Sequence, residues 1–248
     1  MSVRVAKSAG FCFGVSRAVE LVEQAAKAGK KVVTLGPIIH NHHVVDKFRA
    51  LGVEVIDAPE QACPGQTVII RSHGVSRAVY EELQRRGVEI IDATCPFVKR
   101  IHGIVSRAEE EGQLPVIIGT PTHPEVEGIA GWCRDCRVFE TPEDLKNWAY
   151  SKENLKNSSI CMVSQTTLTE YLWKTCGEFA KKQFTNLKIF DTICRATEYR
   201  QSEAAHLSEN CQAMVVVGDP KSSNTGRLAM ICREHCGRVF LVDNASEL

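Results

Sequence analysis

The stretch "GFCFGVSRAVE", Gly10–Glu20, decides how this chain is read. A cysteine stands between two phenylalanines, with a glycine on either side, just ahead of a helical pattern. Two further cysteines sit in the same context. "KVVTLG" ends at Gly36, "PVIIG" at Gly119 and "AMVVVG" at Gly218, and each glycine lies 24 positions after a cysteine: Cys12, Cys95 and Cys194. Four residues beyond each glycine comes a polar side chain, His40, His123 or Ser222. "APEQA" and "TPEDL" place Glu60 and Glu143 each 48 positions after its cysteine and predict short helix starts. Matching offsets in three segments read as a threefold internal repeat.

Outward from the repeat, apolar β-rich runs occur at 3–6, 31–35, 53–56, 67–70, 88–91, 116–118, 159–163, 187–190, 214–217 and 239–242. Helical spacing occupies 15–28, 97–111, 168–182 and 196–209. Alternation of this kind predicts an α/β fold of parallel sheets with crossover helices. Three pseudo-symmetric lobes are expected, 1–94, 95–193 and 194–248, each a small mostly parallel sheet with flanking helices. Each cysteine would follow a strand and open a helix, where functional groups of α/β sheets collect. Helix-start amides favour thiolate over thiol and predict depressed cysteine pKa values.

Composition sets the outer limits. The 248 residues are 44% hydrophobic and 24% charged, with formal net charge zero, so any anion site must be built locally. Nothing points to nucleic acid or membrane. The longest apolar runs, such as "VVTLGPII", fall short of the ~20 residues of a spanning helix. No leader precedes the first expected strand, which predicts a cytoplasmic location. Eleven cysteines at irregular spacing in a helix-rich chain do not read as a disulfide scaffold.

Three thiolates meeting near one axis could hold zinc, although zinc usually takes two ligands from one close spacing. Soft sulfur otherwise suits iron–sulfur clusters, which normally use four cysteines. Three would leave one iron of a 4Fe–4S cluster open, a Lewis acid beside an electron source. The loops after the strands supply His40, His73, His123, Gln165, Thr166, Ser222, Ser223 and Asn224, a set suited to a phosphate or diphosphate. "GDPKSSNTG" only imitates a P-loop, since Pro220 precedes Lys221. Glu125, after His123-Pro124, sits in a helix's first turn, with Glu127 its competitor for proton transfer. The helix dipole would lower its pKa, predicting a carboxylate that is ionised when free and protonates when substrate binds.

Taken together and in order, "GFCFGV", "HNHHVV", "SHGV", "DATCP", "HPEVEG", "QTTL", "ICRAT" and "SSN" resemble the 4-hydroxy-3-methylbut-2-enyl diphosphate reductase family of the non-mevalonate isoprenoid route. The resemblance runs from about residue 3 to 244. It implies three α/β lobes around a 4Fe–4S cluster held by Cys12, Cys95 and Cys194. It implies reductive removal of an allylic hydroxyl, giving isopentenyl and dimethylallyl diphosphates, with electrons from a ferredoxin- or flavodoxin-like donor. His40, His73, Ser222 and Asn224 would hold the diphosphate, with Ser223 adjacent. Glu125 would supply the proton, while His123 and Thr166 complete the network around the substrate hydroxyl. In the third repeat, the segment equivalent to those leading to His73 and Thr166 should fall near 255–265, beyond Leu248. The third lobe is therefore expected to be incomplete, with an exposed apolar edge, and the chain to be a fragment.

Other readings attach to other residues. Cys133 and Cys136, a Cys-x2-Cys, could make a zinc or thiol-redox binding module. A non-catalytic diphosphate-binding fragment would use the histidine and serine loops without iron. Cys63, Cys161, Cys176 and Cys211 read as packed or incidental. His42, His43 and His102 read as ordinary, and "RAEEEG" and "QRRG" as solvated helix faces.

Overall fold

The computed structural model describes residues 2–151, 155 and 157–247. Two four-stranded sheets and one two-stranded sheet, all parallel, account for the strands. The first contains β1 (Val32–Leu35), β2 (Glu54–Ile56), β3 (Thr67–Ile70) and β4 (Glu89–Asp92) in the order β2-β1-β3-β4. The second repeats that order with β5 (Leu114–Ile118), β6 (Arg137–Phe139), β7 (Ser159–Ser164) and β8 (Asn186–Ile189), as β6-β5-β7-β8. The third holds only β9 (Met214–Val217) and β10 (Val239–Val242). Repeated order with a repeated sequence offset is the threefold arrangement that the cysteine spacing predicts.

Alternation of side chains across each strand explains the cores. On β1 and β3, Val32 and Ile69 face one layer of helices while Val33, Leu35, Val68 and Ile70 face the other. On β5 and β7 the same split puts Val116, Ile118, Ile160 and Met162 on one side, and Ile117, Cys161 and Val163 on the other. Sheets buried on both faces read as continuous apolar runs, which is why these strands are legible in the sequence. The third sheet differs: Val216 is buried with Ala229 and Cys232, but Val215 and Val217 are exposed. Val215 and Val217 instead line the central cavity.

Cys12 opens α1 (Phe13–Lys27), Cys95 opens α4 (Pro96–Glu110) and Cys194 opens α8 (Arg195–Glu209). The remaining helices are α2 (His42–Ala50), α3 (Arg77–Arg85), α5 (Pro124–Ala130), α6 (Pro142–Tyr150), α7 (Glu170–Gln183) and α9 (Ser223–His235). α7 begins two residues later than its apolar spacing suggests because Thr169 caps it, accepting from the Leu172 N–H. The two predicted short helices diverge: Pro142 starts a nine-residue helix, whereas Pro59–Gln61 is a single 3-10 turn. Pro64 and Gly65 follow that turn and prevent its extension.

Two strand readings need correction. Residues 3–6 form no strand: no described strand pairs with them, and Val3 and Val5 are exposed. Without a neighbour to receive its backbone groups a strand does not form. The segment is instead tied to the third lobe, where Glu203 on α8 accepts from the Lys7 and Ser8 N–H groups at 2.7 and 2.9 Å. Arg200 donates to the Ser8 and Gly10 carbonyls at 3.1 and 2.7 Å. β4 and β8 likewise lead from one lobe into the next cysteine. Conversely, β6 is short and its "RVF" escaped the periodicity reading. The repeat could have found it, since 137–139 lies as far beyond Cys95 as 54–56 lies beyond Cys12.

Candidate functional site

Three helix starts, three strand ends and the start of α9 open on one cavity of about 770 Å³. Cys12, Cys95 and Cys194 all line it, and each occupies a helix N-cap without making a capping hydrogen bond. A serine or aspartate there would be consumed by the helix; the thiols are left for a ligand. Gly10 reaches Cys12 through a backbone φ of +101°, which a side chain would resist. At Gly14 the need is for space: a Cβ would lie 2.6 Å from Cys95 Sγ.

The thiol electrostatics overturn one expectation. The Cys95 pKa is raised, chiefly by burial, with the nearby Cys12 and Cys194 adding to the rise. The Phe97 and Val98 amides do pull it down, as a helix start should, but they lose to desolvation. Mutual influence of the three thiols places them around one space. Their sulfurs do not form a set within 4.8 Å of one another, as other groups among the described residues do. A single zinc holds sulfurs about 3.8 Å apart, closer than these three stand as a set. Three soft donors lining one cavity match the donor chemistry of an iron–sulfur cluster.

Beside the thiols lie three imidazoles. His40, following β1, stands 4.6 Å from His73, following β3, and 5.8 Å from His123, following β5; His73 and His123 are 5.5 Å apart, centroid to centroid. Burial pushes all three pKa values down, His123 to about 4 and His73 well below the usual imidazole range. Mutual repulsion adds to this, as do Arg71 and, at His123, Arg227. His123 Nδ1 caps α5 by accepting the Glu125 N–H at 3.1 Å, which leaves its Nε2–H free to donate. His40 Nε2 and His73 Nδ1 are buried without hydrogen-bond partners among the described residues. Orphaned polar atoms of this kind await a ligand. Neutral imidazoles beside Arg71, Arg227 and Lys221 suit an anion.

Glu125 is 3% exposed on the first turn of α5. Its two oxygens accept the Thr166 N–H at 2.6 Å and the Thr166 hydroxyl at 2.8 Å. Burial raises its pKa, with the Thr166 bonds and the Arg227 charge opposing. The helix start was expected to lower it, but the Glu125 N–H is spent on His123 and the carboxylate faces Thr166. Glu127 does not line the cavity. Across from Glu125, Ser222 caps α9 by accepting the Thr225 N–H at 3.4 Å. Ser223 Oγ is 2.9 Å from Thr167 Oγ1 and accepts from Gln165 Nε2 at 3.3 Å, joining the second and third lobes; Asn224 follows it into the cavity wall.

Sequence reading brought these residues together but missed Thr167, Arg71 and Arg227. Arg71 is two residues from His73, and Thr167 follows Thr166, so adjacency was the available signal. Arg227 gave none. Cys133 and Cys136 stand apart, half-buried against the packing between α4 and α5. They interact with each other, Cys133 held up and Cys136 held down by their shared hydrogen bond. Among the described residues no cluster of metal-capable side chains includes them.

The sequence profile of the family described as LytB protein matches residues 3–248. The 4-hydroxy-3-methylbut-2-enyl diphosphate reductase of Thermoanaerobacter sp. (strain X514) is 43% identical over 253 residues, covering 100% of this chain and 86% of that protein. The protein of the same name from Aquifex aeolicus is 40% identical, covering 100% of this chain and 85% of the relative. A solved structure of (E)-4-hydroxy-3-methyl-but-2-enyl diphosphate reductase, called the terminal enzyme of the non-mevalonate pathway, superposes with TM-score 0.74 at 39% identity, over 99% of this chain and 87% of that one. The Plasmodium falciparum E-1-hydroxy-2-methyl-but-2-enyl-4-diphosphate reductase superposes with TM-score 0.90 at 28% identity, over 96% and 75%. No helix among the described residues is long and apolar enough to cross a membrane. This chain therefore belongs to the LytB family and is an oxidoreductase of the kind its relatives are named for.

Proposed function

We propose that the chain reductively dehydroxylates (E)-4-hydroxy-3-methylbut-2-enyl diphosphate to isopentenyl and dimethylallyl diphosphates, in a cleft between lobes 1–94, 95–193 and 194–248. Cys12, Cys95 and Cys194 would hold a 4Fe–4S cluster, one thiolate from the start of each lobe's leading helix. Bound there, the cluster would supply single electrons from a ferredoxin- or flavodoxin-like donor and Lewis-acid chemistry toward the substrate hydroxyl.

The chain's own residues bind, orient and protonate. His40, His73, Ser222 and Asn224 hold the diphosphate, with the N-terminus of α9 adding its dipole. Ser223, already bonded to Thr167, positions that loop. His123, donating through Nε2–H, and Thr166 orient the hydroxyl. Glu125 delivers the proton: burial favours its neutral form, and an arriving polyanion favours it further. Of the two protons the reduction consumes, Glu125 supplies one and solvent reaching the open cavity supplies the other.

One observation carries the reading. Three N-cap cysteines from three repeats, making no capping bond, and a buried carboxyl bonded among the described residues only to Thr166 share a cavity with three neutral imidazoles. The test is an anaerobic iron and sulfide count with Mössbauer spectra and a turnover assay. One iron unlike the other three, with turnover lost on replacing any tripod cysteine but kept in Cys133→Ser, is expected. Full iron content and turnover in Cys12→Ser would refute the assignment.

A further inference from the structure

His42 and His43, which read as ordinary surface residues, open α2 in the first lobe. Asp243 follows β10 in the third. The structure brings the Nε2 atoms of both histidines to 3.0 Å from one oxygen, Asp243 Oδ2. The two rings lie 4.1 Å apart. The Asp243 side chain is only 6% exposed, and neither of its oxygens accepts a hydrogen bond from any described residue. Three donor atoms thus converge with no aligned proton between them. The buried carboxylate is left without an aligned donor among the described residues.

A cation resolves the conflict. In a tetrahedral site with metal–ligand bonds of about 2.0 Å, neighbouring ligand atoms stand about 3.3 Å apart. The two 3.0 Å separations need only slight opening, and all three donor atoms lie within 4.8 Å of one another. Two imidazoles and a carboxylate are borderline donors that suit zinc and its neighbours in the first transition row. Ligating histidines are usually oriented by an outer carboxylate. Asp219 Oδ2 stands 4.0 Å from His42 Nδ1, while its Oδ1 is fixed by the Lys221 N–H at 2.8 Å. The histidines are about half exposed, so the fourth position faces solvent.

We propose that His42, His43 and Asp243 form a binding site for one divalent transition-metal ion of the zinc type, stapling the first lobe to the third. The ion fixes the loop that carries His40, two residues upstream, against the end of β10. The inference does not depend on which diphosphate the cavity takes.

The holoenzyme, purified anaerobically with its iron intact, is incubated with zinc sulfate, desalted, and counted for zinc and iron. The same is done with the His42→Gln/His43→Gln double variant. Zinc retained elsewhere, at thiols for example, is common to both and cancels. One more zinc per chain in the wild type is expected, with equal iron in both proteins. Each single variant should bind zinc at least about tenfold more weakly, the least that disturbing even an outer ligand partner costs. Zinc should raise the melting temperature of the wild type and not that of the double variant. Equal zinc in wild type and double variant, or none retained by either, overturns the site. Asp243→Asn gives an independent check, since it removes the charge but keeps the shape; zinc retention there at wild-type level would also overturn it.

Discussion

Glu125 gives both of its carboxylate oxygens to a single residue, Thr166, which meets one with its backbone N–H at 2.6 Å and the other with its hydroxyl at 2.8 Å. The pair links α5 to the loop after β7 and holds a buried carboxyl in one orientation. Removing the acid while keeping its shape, as in Glu125→Gln, should lower kcat by about 10²–10⁴, the usual worth of a positioned proton donor. Diphosphate affinity should hardly change. Thr166→Val keeps the amide bond and loses the hydroxyl bond that lowers the Glu125 pKa. The Glu125 limb of the pH–rate profile should then move to higher pH, and steady-state kinetics across pH will check it.

Gly14 offers a separate test of the thiol tripod. Alanine in the first turn of α1 should favour the helix by up to ~1 kcal/mol on propensity alone. Its Cβ would nonetheless stand 2.6 Å from Cys95 Sγ. Gly14→Ala is therefore expected to leave the melting of the iron-free protein unchanged or slightly raised while cutting iron and sulfide per chain severalfold. Undiminished iron would show that Cys95 Sγ lies farther from Gly14 than this contact requires.

The three cavity imidazoles predict a proton coupled to ligand binding. Burial holds their pKa values down in the free protein, and His123 stands at about 4. A bound polyanion raises them, so the complex binds more protons than the free protein between the two values. Binding is then strongest at low pH and weakens as pH rises through the raised value. Inorganic diphosphate should bind with net proton uptake near pH 6, seen by calorimetry in buffers of different ionisation enthalpy. Each unit of coupled shift is worth tenfold in affinity. His40→Gln should lose part of that uptake, since His40 Nε2 is buried without a partner among the described residues.

His102 predicts an acid weakness in the fold. It is 4% exposed, stacks on Trp132 at 5.2 Å, and burial lowers its pKa to about 4. The unfolded chain, with an ordinary value near 6.5, binds the proton first. The stability tied to neutral His102 is thus complete above about pH 6.5 and declines as pH falls toward 4, by up to about 3 kcal/mol. Urea melts at pH 7 and pH 5 should show a smaller acid loss in His102→Phe, which keeps the stack and removes the titration.

Much of this was legible in the sequence because repetition is itself a sequence property. The 24-residue offsets announce three equivalent units, and buried parallel strands leave apolar runs that need no partner to be recognised. β4 through α4 reads correctly for that reason, down to Cys95 at the turn. The expected strand at 3–6 fails because pairing is not local: its residues suit a strand, but no described strand lies alongside to complete it. β6 fails conversely: β2, equally short, extends the apolar Val53 into "VEVI", whereas Arg137 leaves "RVF" only two apolar residues.

The site divides along the same line. Residue types and order chose Cys12, Cys95, Cys194, His40, His73, His123, Glu125, Thr166 and the Ser222–Asn224 loop, since each opens a helix or follows a strand at a matching place in its repeat. The direction of the Glu125 and Cys95 pKa values was settled only in three dimensions. A helix start acts on its neighbours wherever it is, whereas burial depends on everything packed around the group, and here burial wins. The meeting of His42 and His43 with Asp243 was likewise invisible in the sequence, because two hundred residues separate partners that the folding of the third lobe onto the first brings into contact.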